Sequence, residues 1–266
     1  MNGRRIRPPK AHGLVPVLPG DGVALRMVEF ALLSLDEGEA HAEDAGRMEV
    51  AAVMLSGRAQ VAGAGFAADV GARASVFDGP GACAFWPMGD RVSVRAVGGP
   101  AEVALARVEA AGEARGFIVT PGEVESFKRG RPPFEREVRN MIGQGRPASR
   151  MILGETVNAP GQWSSYPPHR HEVDDPPAEV AMEEVYYFRV APPQGFGFIR
   201  CYTDDRSADE SFAIEDGDVV AIPRGYHPVS AAPGYQLYYL WILAGETSRE
   251  LRPRDDPAHA WVLGRG

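Results

Sequence analysis

Apolar residues in this chain come in short runs rather than long stripes. Residues 50–55, 82–86, 91–97 and 103–108 in the first half read as β-strands, as do 184–190, 197–202, 219–222, 228–231 and 235–243 in the second. Turn signals such as Asp78-Gly79-Pro80-Gly81 and Gly98-Gly99-Pro100 separate them. Regularly spaced short strands predict a sandwich or barrel. In the last run, Tyr235, Leu237, Tyr239, Trp241 and Leu243 share one face, and Gln236, Tyr238, Leu240 and Ile242 share the other. A strand apolar on both faces belongs inside the molecule. One segment departs from the pattern. Phe134, Val138, Met141 and Ile142 recur at helical spacing, with Pro132-Pro133 before them and Gly143 just after, which predicts one short amphipathic helix. The pattern therefore divides the chain into a β unit over 1–110, opening on a Pro/Gly-rich basic arm, a connector over 111–150 that carries the helix, and a second β unit over 151–266.

Composition agrees with many turns: the 266 residues include 31 Gly and 23 Pro. The 28 Lys and Arg against 36 Asp and Glu leave a formal charge of −8. A chain of this charge lacks a general attraction to nucleic acid or anionic lipid, and it shows no helix-turn-helix segment or basic stripe, so neither partner is expected. The longest apolar run, 237–244, is far shorter than the ~18 residues of a membrane span. Pro and Gly interrupt the first residues before a signal-like apolar region forms. Two cysteines, Cys83 and Cys201, make no disulfide framework, and the cytoplasm is the expected location.

The two halves echo each other. Gly217 is followed by Pro223, Gly225 and His227, and Gly81 is followed at the same spacings by Pro87, Gly89 and Arg91. Upstream, Glu184-Val185 has an echo in Glu49-Val50. Two similar all-β units explain this economically. Arg91 stands in the place of His227, and a guanidinium does not ligate metal, so a metal site in the second unit is not expected to recur in the first.

Three of the six histidines fall in suggestive places in the second unit. His169 and His171 share one face of an extended segment, Glu184 heads a strongly apolar strand, and His227 follows a Pro-Arg-Gly turn. A carboxylate on a face with Tyr186 and Phe188 calls for a compensating charge. Three imidazoles and a carboxylate around one interior point suit a single divalent ion, Zn(II), Mn(II), Fe(II) or Ni(II).

The order HxH, E, PxGxH resembles the cupin superfamily, with a longer insertion than usual between His171 and Glu184 and one fewer residue between Gly225 and His227. The strings W-S-S-Y-P-P-H-R-H (163–171), E-E-V-Y-Y-F-R (183–189), Y-T-D-D-R-S (202–207), D-G-D-V-V (216–220), P-R-G-Y-H-P-V (223–229) and D-P-A-H-A-W (256–261) are similar to the 5-deoxy-glucuronate isomerase family, bicupin enzymes of bacterial myo-inositol catabolism. The resemblance is dense from about Gly154 to Trp261 and thin over the first 110 residues, where L-S-G (55–57) and F-D-G-P (77–80) carry it.

The resemblance implies two tandem cupin-like barrels of the RmlC-like jelly-roll type. It implies a small sugar-acid substrate converted from aldose to ketose, and metal ligation by His169, His171, Glu184 and His227. Candidates for the proton-transfer group are Tyr186, Asp204 and Tyr238, while Glu183 alternates away from Glu184 and is expected to face outward. A substrate carboxylate wants a guanidinium fork, for which Arg200, Arg206 and Arg224 are candidates. A metal-dependent cupin dioxygenase and a non-catalytic sugar-binding or regulatory cupin stand as alternatives. Exposed strand edges and a unit without metal are compatible with a homodimer.

Overall fold

Side-chain alternation in the strand Gln236–Gly245 decides how the molecule is layered. In a computed structural model, which describes residues 4–19 and 23–264, Leu237, Tyr239, Trp241 and Leu243 join a core with Tyr186, Phe188, Ile199 and Val229. The intervening Tyr238, Leu240, Ile242 and Ala244 join a different core, together with Phe30, Val53, Leu55 and Phe85 of the first half. A third core, built around Leu33, Val50, Met54, Trp86 and Leu105, lies within the first half alone. The predicted two-faced strand is therefore buried by its own unit on one side and by the other unit on the opposite side.

The second half is organised by a seven-stranded sheet in the order Arg4–Ile6, Val219–Ile222, Met182–Ala191, Gln236–Gly245, Met151–Asn158, Arg136–Ile142, Glu125–Arg129. Opposite it lies a four-stranded sheet of Trp163–Ser164, Val229–Ala231, Gly197–Tyr202 and Asp209–Ile214. The first half is a nine-stranded sheet threaded by the 16-residue strand Met48–Gly63. Within the basic arm, Arg4–Ile6 pairs with Val219–Ile222 of the second half. No helix among the described residues is long and apolar enough to cross a membrane.

The helix expected around residues 134–142 is a strand, Arg136–Ile142, hydrogen-bonded to Glu125–Arg129 on one side and Met151–Asn158 on the other. Among the described residues the two helical turns are both 3-10, Pro121–Glu123 and Pro257–Leu263. The misleading stripe has a local cause. A register shift between Asn140 and Ile142 sends the consecutive Met141 and Ile142 into the same core, as a β-bulge does. Val138 packs toward the other core, and Phe134 lies ahead of the strand beside Tyr166.

Three buried carboxylates stitch the halves together. Glu49, fully buried, accepts hydrogen bonds from the N–H of Ser149 at 2.8 Å, of Arg150 at 2.9 Å and of Met151, and from the Ser149 hydroxyl at 2.8 Å. Glu183 does the same in the opposite sense, accepting from the N–H of Arg26 at 2.9 Å and of Met27 at 2.8 Å. It faces away from Glu184 as expected, yet into the other unit rather than toward water. Each of these glutamates holds the head of a strand in the other half, Met151–Asn158 or Val28–Leu35. Between them, Glu155 accepts from Arg73 Nη2 at 2.5 Å, the Tyr238 hydroxyl at 2.9 Å and the Gly81 N–H at 3.3 Å.

The same pairs correct the internal repeat by one residue. Val50 pairs with Trp86, which precedes Pro87, and Glu184 pairs with Ile222, which precedes Pro223. Glu49 thus corresponds to Glu183, and Val50 occupies the place of Glu184. Glu49→Ala leaves three backbone N–H groups without their acceptor, at about 1–3 kcal/mol for each buried unsatisfied group. A stability loss of about 3 kcal/mol or more in urea unfolding at unchanged m-value is expected, with a smaller loss for Glu49→Gln, which keeps one acceptor oxygen.

Candidate metal centre

The short strand His169–Arg170 pairs with Arg254–Asp255, so the chain is extended and His169 and His171 point the same way while Arg170 points opposite. Arg170 is held from behind. Its Nε lies 3.1 Å from Glu179 Oε1, its Nη1 bonds Asp204, and its guanidinium lies 5.5 Å from the centre of the Tyr226 ring. Glu179 is fully buried and also accepts the N–H groups of Glu172 at 2.7 Å and Val173 at 2.9 Å. The long insertion after His171 is therefore tied back onto the histidine strand by one carboxylate.

Glu184 sits on Met182–Ala191, between Val219–Ile222 and Gln236–Gly245. Strand partners on both sides fix its direction. His227 follows a turn in which Gly225 takes a φ of +87°, and its Nδ1–H donates to the Gly225 carbonyl at 2.9 Å. That bond leaves Nε2 with a free lone pair.

The four side chains converge. One ring nitrogen each from His169, His171 and His227 lies within 4.8 Å of the others. Glu184 Oε2 is 3.0 Å from His227 Nε2 and 4.0 Å from His171 Nε2. The 3.0 Å contact is not a hydrogen bond: Glu184 Oε2 and His227 Nε2 are both buried without a hydrogen-bond partner, as is His171 Nδ1. Buried lone pairs that face one another without a proton between them are costly, and a shared cation is what satisfies them. Burial, reinforced by the neighbouring imidazoles, holds His169 well below the ordinary imidazole range and lowers His171 to about 4. Both of these rings are therefore neutral, the form that ligates metal.

A cavity of about 230 Å³ opens over these residues, lined among others by Arg129, Arg136, Tyr186, Tyr239 and Trp241. Its wall depends on one glycine: a Cβ on Gly154 would lie 2.3 Å from the Trp241 ring. Tyr186 reaches the cavity with its hydroxyl 3.1 Å from Ser165 Oγ, and Ser165 takes a φ of +48°, rare outside glycine. Burial and the nearby Glu184 carboxylate raise the Tyr186 hydroxyl well above the usual phenol range.

The other sequence candidates lie elsewhere. Tyr238 is on the opposite face of its strand, bonded to Glu155 between the halves. Asp204 accepts from the Tyr226 hydroxyl at 2.8 Å and from Arg170, behind the histidine strand. Arg200 pairs with Asp209 at 2.6 Å, Arg206 covers the Tyr202 ring at 3.9 Å, and Arg224 lies 3.7 Å from Glu172. The arginines that line the cavity are Arg129 and Arg136, on the strands Glu125–Arg129 and Arg136–Ile142, where the pattern predicts a connector and a helix.

Comparison with known proteins agrees with this layout. Two relatives named 5-deoxy-glucuronate isomerase are similar to the chain: one from Geobacillus kaustophilus at 36% identity, covering 96% of this chain and 92% of its own length, and one from Bacillus subtilis strain 168 at 34%, covering 98% of each. The crystal structure of an IolB-like protein from Salmonella typhimurium LT2 superposes with a TM-score of 0.92 at 32% identity, covering 97% of this chain and 98% of that one. Oxalate decarboxylase from Lactobacillus farciminis shares the fold at a TM-score of 0.68 and 14% identity, over 94% of this chain and 88% of its own. The all-β, two-unit cupin architecture is thus established, without the connecting helix. The profile of the KduI/IolB family matches residues 9–262, and the chain belongs to that family.

Proposed function

We infer that this chain is an aldose–ketose isomerase that converts 5-deoxy-D-glucuronate to 5-keto-2-deoxy-D-gluconate in inositol catabolism. The observation that carries the reading is its near-full-length identity of 34–37% to proteins of that name. We propose that His169, His171, Glu184 and His227 hold one divalent ion. Two orphaned buried atoms that face each other at that point, Glu184 Oε2 and His227 Nε2, support this, and a three-nitrogen, one-oxygen donor set suits Zn(II), with Mn(II) or another first-row metal as alternatives. In the first unit, Val50 and Arg91 stand where Glu184 and His227 would be, so that unit serves as structure. Two free, buried thiols, Cys83 and Cys201, support a cytoplasmic location.

The reaction moves a proton from the carbon beside the aldehyde onto the aldehyde carbon, and negative charge builds on two adjacent oxygens on the way. A bound divalent ion supplies Lewis-acid stabilisation of that charge. The chain supplies the enclosure and the proton handling. Tyr239, Trp241 and Leu243 wall the cavity with little but ring and aliphatic surface. Tyr186, kept neutral by burial and held by Ser165, donates a hydrogen bond to a substrate oxygen where charge develops.

Three outcomes test this. His227→Ala should lose bound metal, read by elemental analysis, together with turnover of 5-deoxy-glucuronate, while its urea unfolding stays cooperative. A folded variant with full turnover removes His227 from the mechanism. Arg170→Met should weaken metal binding by about 10–100-fold in a competition assay with a chromophoric chelator, because the support behind the two histidines is gone. Tyr186→Phe should lower kcat by about 100-fold or more at unchanged metal content, whereas turnover by Tyr238→Phe should stay within a few-fold of the parent, its hydroxyl being remote from the cavity.

A further inference from the structure

The outermost hairpin of the seven-stranded sheet brings two arginines together. Glu125–Arg129 and Arg136–Ile142 are antiparallel, and their register sets Arg129 directly opposite Arg136. Like charges in directly opposed positions destabilise a strand pair. Both residues line the cavity that contains His169, His171 and Glu184.

Arg136 is only 8% exposed. Of its five N–H donors, one nitrogen, Nη1, bonds the Phe134 carbonyl at 3.3 Å. The other deeply buried arginines of the chain are neutralised. Arg73 pairs with Glu155 at 2.5 Å, Arg139 with Glu137 at 2.7 Å, and Arg170 with Glu179 at 3.1 Å. Arg136 has no such ion pair among the described residues, and neither has Arg129. Burial pulls the Arg136 guanidinium below its ordinary range, although it stays cationic. The acidic group facing both arginines is Asp255, which sits opposite His169 in its strand pair and feels both charges without bonding to either. The neighbouring Tyr186 and Tyr239 hydroxyls are held in their neutral form by burial.

A desolvated cation beside a second cation on the wall of a cavity is an anion seat. We propose that Arg136, assisted by Arg129 at the rim, is the carboxylate-binding site of this pocket, taking the acid end of an open-chain uronate whose carbonyl end lies toward His169, His171 and Glu184. The assignment rests on the isomerase reading for the identity of the acid, but its test does not. The cavity volume of about 230 Å³ is below the roughly 300–1,000 Å³ that drug-sized ligands fill, as suits a small sugar acid. The arginine pair would separate uronates from neutral aldoses of the same length.

The probes are D-gluconate, an open-chain acid with no carbonyl to isomerise, and D-glucitol, its neutral counterpart, titrated calorimetrically into the metal-loaded protein. Wild type should bind gluconate more tightly than glucitol. Arg136→Gln should weaken gluconate by about tenfold or more and leave glucitol unchanged, with Arg136→Lys in between and Arg129→Gln showing a smaller loss. Bound metal should be the same in all four proteins. The ligand-free Arg136→Gln protein should melt no lower than wild type, because the substitution removes a desolvated charge without orphaning a carboxylate. Gluconate binding that is undetectable in wild type, equal to that of glucitol, or unaffected by Arg136→Gln overturns the proposal, as does a lower melting temperature with loss of both ligands. Arg136-dependent gluconate binding without any isomerisation of 5-deoxy-glucuronate would leave the seat standing and remove the isomerase reading instead.

Discussion

Glu184 is an acidic side chain on an interior strand, with one oxygen that no hydrogen-bond donor reaches. Taking a carboxylate out of water costs several kcal/mol unless something returns the lost solvation. The rest of the second unit is arranged around that requirement. Two strand partners hold the residue in place, the turn at Gly225 turns a bare imidazole nitrogen toward it, and a buried Arg170–Glu179 pair presses His169 and His171 in from the other side. These separate placements bring three imidazoles and a carboxylate to one buried point, a donor set of the kind that suits a divalent cation.

The first unit shows what the scaffold looks like once that requirement is relaxed. With Val50 where Glu184 would stand, the corresponding position is a fully buried hydrophobe in a dry core beside Trp86. Arg91, in the place of His227, points to solvent and pairs with Asp44 at 3.0 Å. What the two units still share is the neighbouring glutamate: Glu49 and Glu183 perform the same reciprocal anchoring of a strand in the other half. The positions that hold the halves together and those that hold chemistry are adjacent in sequence and on opposite faces.

Much of the site was legible because its residues sit in strands and turns whose spacing encodes direction. His169 and His171 at alternate positions, Glu184 at the head of an apolar strand and His227 after Pro-Arg-Gly could be brought together on alternation and turn chemistry alone. The same reasoning contained the means to exclude Tyr238, since Tyr239 and Trp241 occupy the face toward Tyr186 and Tyr238 occupies the other. Arg129 and Arg136 were hidden because a bulge at Asn140–Ile142 imitates a helical stripe, and on a helix Arg136 would be one more solvated charge. Arg200 and Arg206 offer the guanidinium fork that a carboxylate wants, but the hairpin that carries Arg200 ends in a turn that pairs both with Asp209.

The central strands Met182–Ala191 and Gln236–Gly245 have no idle side. Their odd and even residues alternate between the ligand cavity and the seam against the first half, so Tyr239 and Trp241 serve one while Tyr238 and Leu240 serve the other. A strand coded in this way cannot tolerate slippage. Inserting or deleting one letter upstream within it would exchange every downstream assignment at once, turning cavity wall into seam and seam into cavity wall. Drift in this stretch is therefore confined to substitution, and each substitution is answerable to only one of the two tasks.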